Sequence, residues 1–193
     1  MSVQKINPRM LVIIFFILVV AVFRILINMN GPVFPLANFS PVGAMALFSG
    51  TYFKSRGKSY LFPLFILLVS DFILSLILSR HYENGFLYSG WYWVYAAFAL
   101  MVLAARLIIN SVRFKSVLIG IFAVTFIHWI VSDTGVWLQG TSYAKTVAGL
   151  RACLVAAIPF ERNFLAGTLL YSGIMFTAFE WLQRKFSLLT LAN

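Results

Sequence analysis

The sequence predicts an all-α integral membrane protein, a bundle of six transmembrane helices forming one domain over residues 1–193. Three observations carry this. Of 193 residues, 62% are hydrophobic and 10% charged, with mean hydropathy +0.93, whereas soluble domains run at about 45–50% apolar and about 25% charged. The apolar residues form continuous runs rather than the alternation of a transmembrane barrel, which leaves helices as the spanning solution. Basic residues flank those runs, as topology signals do.

The elements follow in chain order. The first span is "MLVIIFFILVVAVFRILI", residues 10–27. It is too long for the apolar region of a signal peptide and has no A-x-A exit, so it reads as retained. The second covers residues 41–57 and opens on "NFSP", with Ser40 as N-cap and Pro41 at the first helical position. Ala46 and Gly50 give it a small-xxx-small pair for close packing. The third covers residues 59–78, the fourth 91–109, the fifth 117–133 and the sixth 164–182. A span takes about 17–25 residues, so the apolar runs at the heart of the second and fifth, residues 41–53 and 117 to about 131, are short, which a bundle tolerates beside a polar cavity. Between the fifth and sixth lies "TVAGLRACLVAAIPF", interrupted by Arg151 and closed by Pro159. It predicts a short interfacial helix, with a seventh span as the alternative.

Charge sets the orientation. Lys5, Arg9, Lys54, Arg56, Lys58, Arg106, Arg113, Lys115, Arg184 and Lys185 fall on one side of a six-span arrangement. The loops of the other side carry Arg80, Lys145, Arg151 and Arg162, partly offset by Glu83, Asp133 and Glu161. Both termini are therefore expected in the cytoplasm; a seventh span would put the C-terminal basic pair outside. The net charge of +10 is read as this bias rather than as a nucleic-acid surface. The single cysteine, Cys153, allows no internal disulfide and no cysteine-based metal site.

Ionisable residues inside spans are costly and point to function by default. Arg24, Asp71, His128 and Asp133 all fall toward the outer leaflet, which predicts an outward-facing polar cavity. Each has a plainer reading as well: Arg24 snorkelling to headgroups, Asp71 as its ion-pair partner, His128 as a hydrogen-bonded packing residue, Asp133 as a helix cap. Glu180, four residues before Arg184, reads as an interfacial i,i+4 pair. Aromatic residues crowd the outer side as an interfacial belt. Among them Trp91, Tyr95 and Trp137 are candidates for cavity walls. The start of the second helix points its free N–H groups at the same cavity, a place for an anionic or hydrogen-bond-accepting group. This adds Asn38 and Ser40 to the candidate ligand-binding set. The uncharged loop "NMNGPVFPLA" before it, with Pro32 and Pro35, is the candidate lid.

The segments "NFSPVGAMALFSGTYF", "PLFILLVSDFIL", "WYWVYAAFAL" and "GVWLQGTSYAKTVAGLRACLVAAIPFERNFLAGTLLYS" resemble an uncharacterised bacterial family of small membrane proteins. That family is similar to the substrate-binding S-components of energy-coupling factor (ECF) vitamin transporters. The resemblance implies an inner-membrane six-helix bundle that binds a vitamin-like molecule near its outer face. It further implies toppling in the membrane on docking to an ECF-type transmembrane and ATPase module. The first span has only Ala21 among bulky residues, where S-components often carry a small-xxx-small motif; Ala46 and Gly50 are the substitute.

Two other function classes compete. A non-catalytic subunit of a larger membrane complex would also use the small residues. An intramembrane enzyme would need a reaction motif, and neither H-E-x-x-H nor G-x-S-x-G nor a P-loop occurs. His128 and Asp133, five apart, are offset around their helix. The expectation is a transport protein with no catalytic residue, metal or cofactor, whose partners are a small-molecule ligand, the bilayer and an ECF-type module.

Overall fold

The structure is a computed structural model that describes residues 7–28, 38–77 and 87–189. All of the candidate lid after Asn28, residues 29–37, lies outside the described residues, as do Lys5, Arg80 and Glu83. Among the described residues there are six α-helices and no strand: α1 (Pro8–Asn28), α2 (Val42–Tyr52), α3 (Arg56–Ile77), α4 (Trp91–Ile108), α5 (Phe114–Gln139) and α6 (Val147–Lys185). A short 3-10 turn follows at Ser187–Leu189. Five of the helices are long and apolar enough to cross a membrane, the pattern of a multi-pass membrane protein. The outer surface fits that medium: Phe15, Leu61 and Leu76 are all more than 60% exposed, and soluble proteins rarely expose such patches.

The exception is α2. It has 11 residues, a length of about 16 Å at 1.5 Å per residue. It packs against all five long helices, and Ala44 through Phe48 have no exposed surface. A helix that is apolar all round belongs in a core. The helix expected over residues 41–57 therefore covers only Val42–Tyr52. The chain breaks at Phe53–Ser55 and α3 begins at Arg56, inside the basic patch. Small residues permit the burial: a Cβ on Gly50 would lie 2.7 Å from both the Val102 carbonyl oxygen and Ala105 Cβ, so α2 and α4 touch backbone to backbone.

A buried helix has to satisfy its end groups without water. At the C-terminal end of α2, Arg9 donates to the Tyr52 carbonyl (3.4 Å) and Arg106 to the Phe53 carbonyl (3.0 Å). Cations also suit the negative end of the helix dipole. Arg9 further bonds Gln183 Oε1 and the Leu189 carbonyl, both at 2.6 Å. Glu180 accepts from the Tyr52 hydroxyl (2.5 Å) and from Gln183 (3.2 Å). This replaces its expected pairing with Arg184. One end of the bundle therefore holds Arg9, Tyr52, Arg106 and Glu180; the other holds Arg24, Asp71, Tyr95 and His128. Successive helices alternate in direction between them.

Two boundaries differ from expectation. The fifth helix continues through Ser132, Asp133 and Thr134 to Gln139, reaching 26 residues. Asp133 is thus interior to α5 and caps nothing. No separate interfacial helix precedes the sixth span: residues 147–185 form one 39-residue helix running through Pro159. The reason is an unbroken buried stripe at Cys153, Ala157, Glu161, Phe164, Thr168 and Tyr171. Its i, i+3/i+4 phase does not slip at Pro159, whose ring faces outward. A proline removes one hydrogen bond and kinks a helix, but burial on both flanks holds this one together. At about 58 Å, α6 is much longer than the roughly 30 Å hydrocarbon layer.

Candidate functional site

Ser40 lies two residues before α2, and its Oγ accepts from Val42 N (3.3 Å). Helix α2 begins one residue later than expected, with Pro41 rather than Ser40 at the N-cap position. The Ser40 backbone passes so close to α6 that a Cβ on Gly167 would meet it at 2.8–2.9 Å. Asn38 is the one non-glycine residue with positive φ among the described residues, at 65°. Asparagine tolerates this left-handed conformation and β-branched residues do not. Asn38→Gly is therefore expected to be close to neutral, whereas Asn38→Val should cost about 1–2 kcal/mol, measured by thermal unfolding in detergent.

Beside this turn lies a cavity of about 230 Å³ lined by Arg24, Asn38, Ser40, Val42, Tyr88, Val94, His128 and Phe164. The polar members come from α1, the segment before α2, the approach to α4, and α5. The first-turn N–H groups of α2 have no intrahelical acceptors and define its positive end. Thr168 Oγ1 lies against Gly43 in that turn and is buried without a hydrogen-bond partner among the described residues.

Arg24 is held from behind. Its guanidinium donates to Asp71 Oδ1 (2.5 Å) and Ser70 Oγ (2.7 Å), and the Tyr95 hydroxyl donates to Asp71 Oδ2 (2.9 Å). Asp71 is 2% exposed. It and Tyr95 therefore fix Arg24 and do not line the cavity. His128 stacks on Phe164, with ring centroids 4.0 Å apart and planes 10° from parallel. Its Nδ1 is 2.9 Å from Glu161 Oε1. The carboxylate thus sets the imidazole: with Nδ1–H donating, a neutral ring keeps Nε2 as an acceptor and an imidazolium makes it a donor. Glu161 Oε2 is buried and without a partner among the described residues.

Three expected members lie elsewhere. Trp91 is 40% exposed and packs edge-to-face on Tyr95 at 5.3 Å, along an outer groove of α3 and α4. Trp137 donates to the Ala144 carbonyl (2.8 Å) and, with Lys145 over its ring, orders the α5–α6 connection. Asp133 sits within electrostatic range of His128 and Glu161, and its carbonyl accepts from the Cys153 thiol (3.5 Å). It faces α6 rather than the cavity. Glu161, Phe164 and Thr168 were missed. In the sequence Glu161 reads as one of the outer-side charges, and its spacing, four after Ala157 and three before Phe164, is the signal that places it inside. Among the described residues, no group of three or more His, Cys, Asp or Glu side chains is arranged to hold a metal ion.

A family model described as "Family of unknown function (DUF6580)" matches residues 4–189, and the chain belongs to that family. No curated protein and no solved structure matches it.

Proposed function

For this member of the DUF6580 family, we propose a transport role: a compact polar molecule is bound in the cavity at the start of α2 and handed across the membrane in the manner of an ECF S-component. The chain would lie in the bacterial inner membrane with both termini cytoplasmic and the cavity toward the outside. It would cross six times, with residues 38–53 serving as the second crossing. A docked ECF-type transmembrane and ATPase module would supply the energy. The observation that carries this reading is the convergence of Arg24, Asn38, Ser40 and His128, from separate chain segments, on one small cavity.

The chemistry narrows the ligand. At about 230 Å³ the cavity is smaller than the roughly 300–1,000 Å³ of drug-sized sites. It suits a compact molecule or one end of a longer one. The positive end of α2 and the Arg24 guanidinium favour a carboxylate or another acceptor group. His128 offers one hydrogen-bonding position, at Nε2, and Phe164 an apolar surface.

The test is mass spectrometry of small molecules copurifying with the full chain in mild detergent, followed by thermal unfolding with the compound found. At 100 times Kd a ligand should add about 2.7 kcal/mol of stability. His128→Gln and Asn38→Gly should each weaken binding at least about tenfold, the loss of one good hydrogen bond, without unfolding the protein. Full affinity in both variants would remove the cavity from consideration.

A further inference from the structure

At the opposite, basic end of the bundle, α5 and α6 part to leave a second groove of about 480 Å³. Its walls are apolar: Val117, Ile121, Leu169 and Phe176 among them. Gly173 lies in it, and a Cβ there would meet no atom within 4 Å. Arg113 and Arg184 stand at the mouth, both exposed. Neither guanidinium makes a hydrogen bond or ion pair with a described residue. The one carboxylate in the lining, Glu180, is turned away to Tyr52 and Gln183. Trp181, 57% exposed, carries Lys185 over its ring at 5.1 Å. An amphipathic aromatic beside a lysine marks the level of lipid headgroups.

We propose that this groove binds one anionic phospholipid, an acyl chain lying on the Gly173 face and the phosphate between Arg113 and Arg184. The dimensions agree. From Leu169 to Arg184 the helix rises about 22 Å, and one leaflet with its headgroups is about 20–22 Å thick. The charge agrees too. Two unpaired cations above an apolar slot complement a lipid anion, and basic pockets between membrane helices bind acidic headgroups. A partner helix would meet the same two exposed charges and would have to supply acidic residues at one end only. This inference does not rest on the ligand cavity at the other end.

The experiment uses the full chain, delipidated in detergent and given equal amounts of dioleoylphosphatidylglycerol or dioleoylphosphatidylcholine. Intact-complex mass spectrometry reads the lipid retained. Each arginine is expected to contribute roughly fivefold, about 25-fold together, in favour of the anionic lipid. R113Q and R184Q should each lose about fivefold of that preference, and the double variant nearly all of it. G173L should reduce retention of both lipids while leaving the unfolding temperature in place, because its side chain enters open space. K54Q/R56Q/K58Q, at the same end but outside the groove, should retain the preference. Equal retention of the two lipids would overturn the proposal. So would a preference that survives R113Q/R184Q and disappears in K54Q/R56Q/K58Q, which would mean diffuse charge. A protein dimer lost in G173L with lipid retention unchanged would assign the groove to a second copy instead.

Discussion

Asp71→Ala should destabilise the protein by about 3–5 kcal/mol, the usual cost of removing one partner from a buried ion pair. Both carboxylate oxygens are engaged, one by Arg24 at 2.5 Å and one by the Tyr95 hydroxyl at 2.9 Å. Truncation removes the Asp71 charge from beside the guanidinium, in surroundings that hold Asp71 at 2% exposure. Denaturant unfolding in detergent measures the loss. Replacing both partners, as in Arg24→Met with Asp71→Leu, should recover most of the stability, since well-packed apolar pairs often match buried ion pairs. The same double variant should still lose ligand affinity, because Arg24 lines the cavity. That combination separates folding from binding, which either single change would confuse. An Asp71→Ala protein as stable as the wild type would contradict the pairing.

Gly50→Leu should abolish folding, and Gly50→Ala should cost about 1–3 kcal/mol by overpacking. The added methyl would sit 2.7 Å from a carbonyl oxygen of α4 and from Ala105 Cβ. The carbonyl oxygen and the alanine Cβ are both fixed by the α4 backbone and cannot step aside as a flexible side chain would. The gain of about 0.5–1 kcal/mol from replacing a helical glycine does not offset this. Gly50 consequently says nothing about docking to another protein: the small-xxx-small pair with Ala46 is consumed inside the chain. A Gly50→Ala protein with an unchanged unfolding temperature would show that the two helices have room to part.

What the sequence conveyed depended on whether a residue's partner was near in kind or only near in space. Helices α1, α3 and α4 were legible to within about three residues, because their runs are uniformly apolar and end in charge or turn signals. The Arg24–Asp71 pair was anticipated on a simple ground: two opposite charges at one membrane depth are cheaper together. Helices α5 and α6 were misjudged where a polar cluster and a proline looked like endings. In each case tertiary burial overrode the local signal. The roles of Arg9 and Arg106 were invisible, since nothing in a flanking basic residue announces which distant carbonyl it will meet. The His128–Glu161 contact was lost with the α6 boundary that hid it.

The brevity of α2 has a consequence for how the chain is made. In the six-crossing arrangement proposed above, α1 and α3 point the same way, so the segment between them must recross the bilayer. A helix of 11 residues is well short of the roughly 17 an insertion machinery would partition into lipid. The carbonyls at its C-terminal end accept from Arg106 as well as Arg9, and most of its packing is against α4 and α6, which emerge from the ribosome later. In that arrangement the second crossing would stay unsettled until the sixth helix has been synthesised, and the cavity beside its first turn would be the last part of the protein to form.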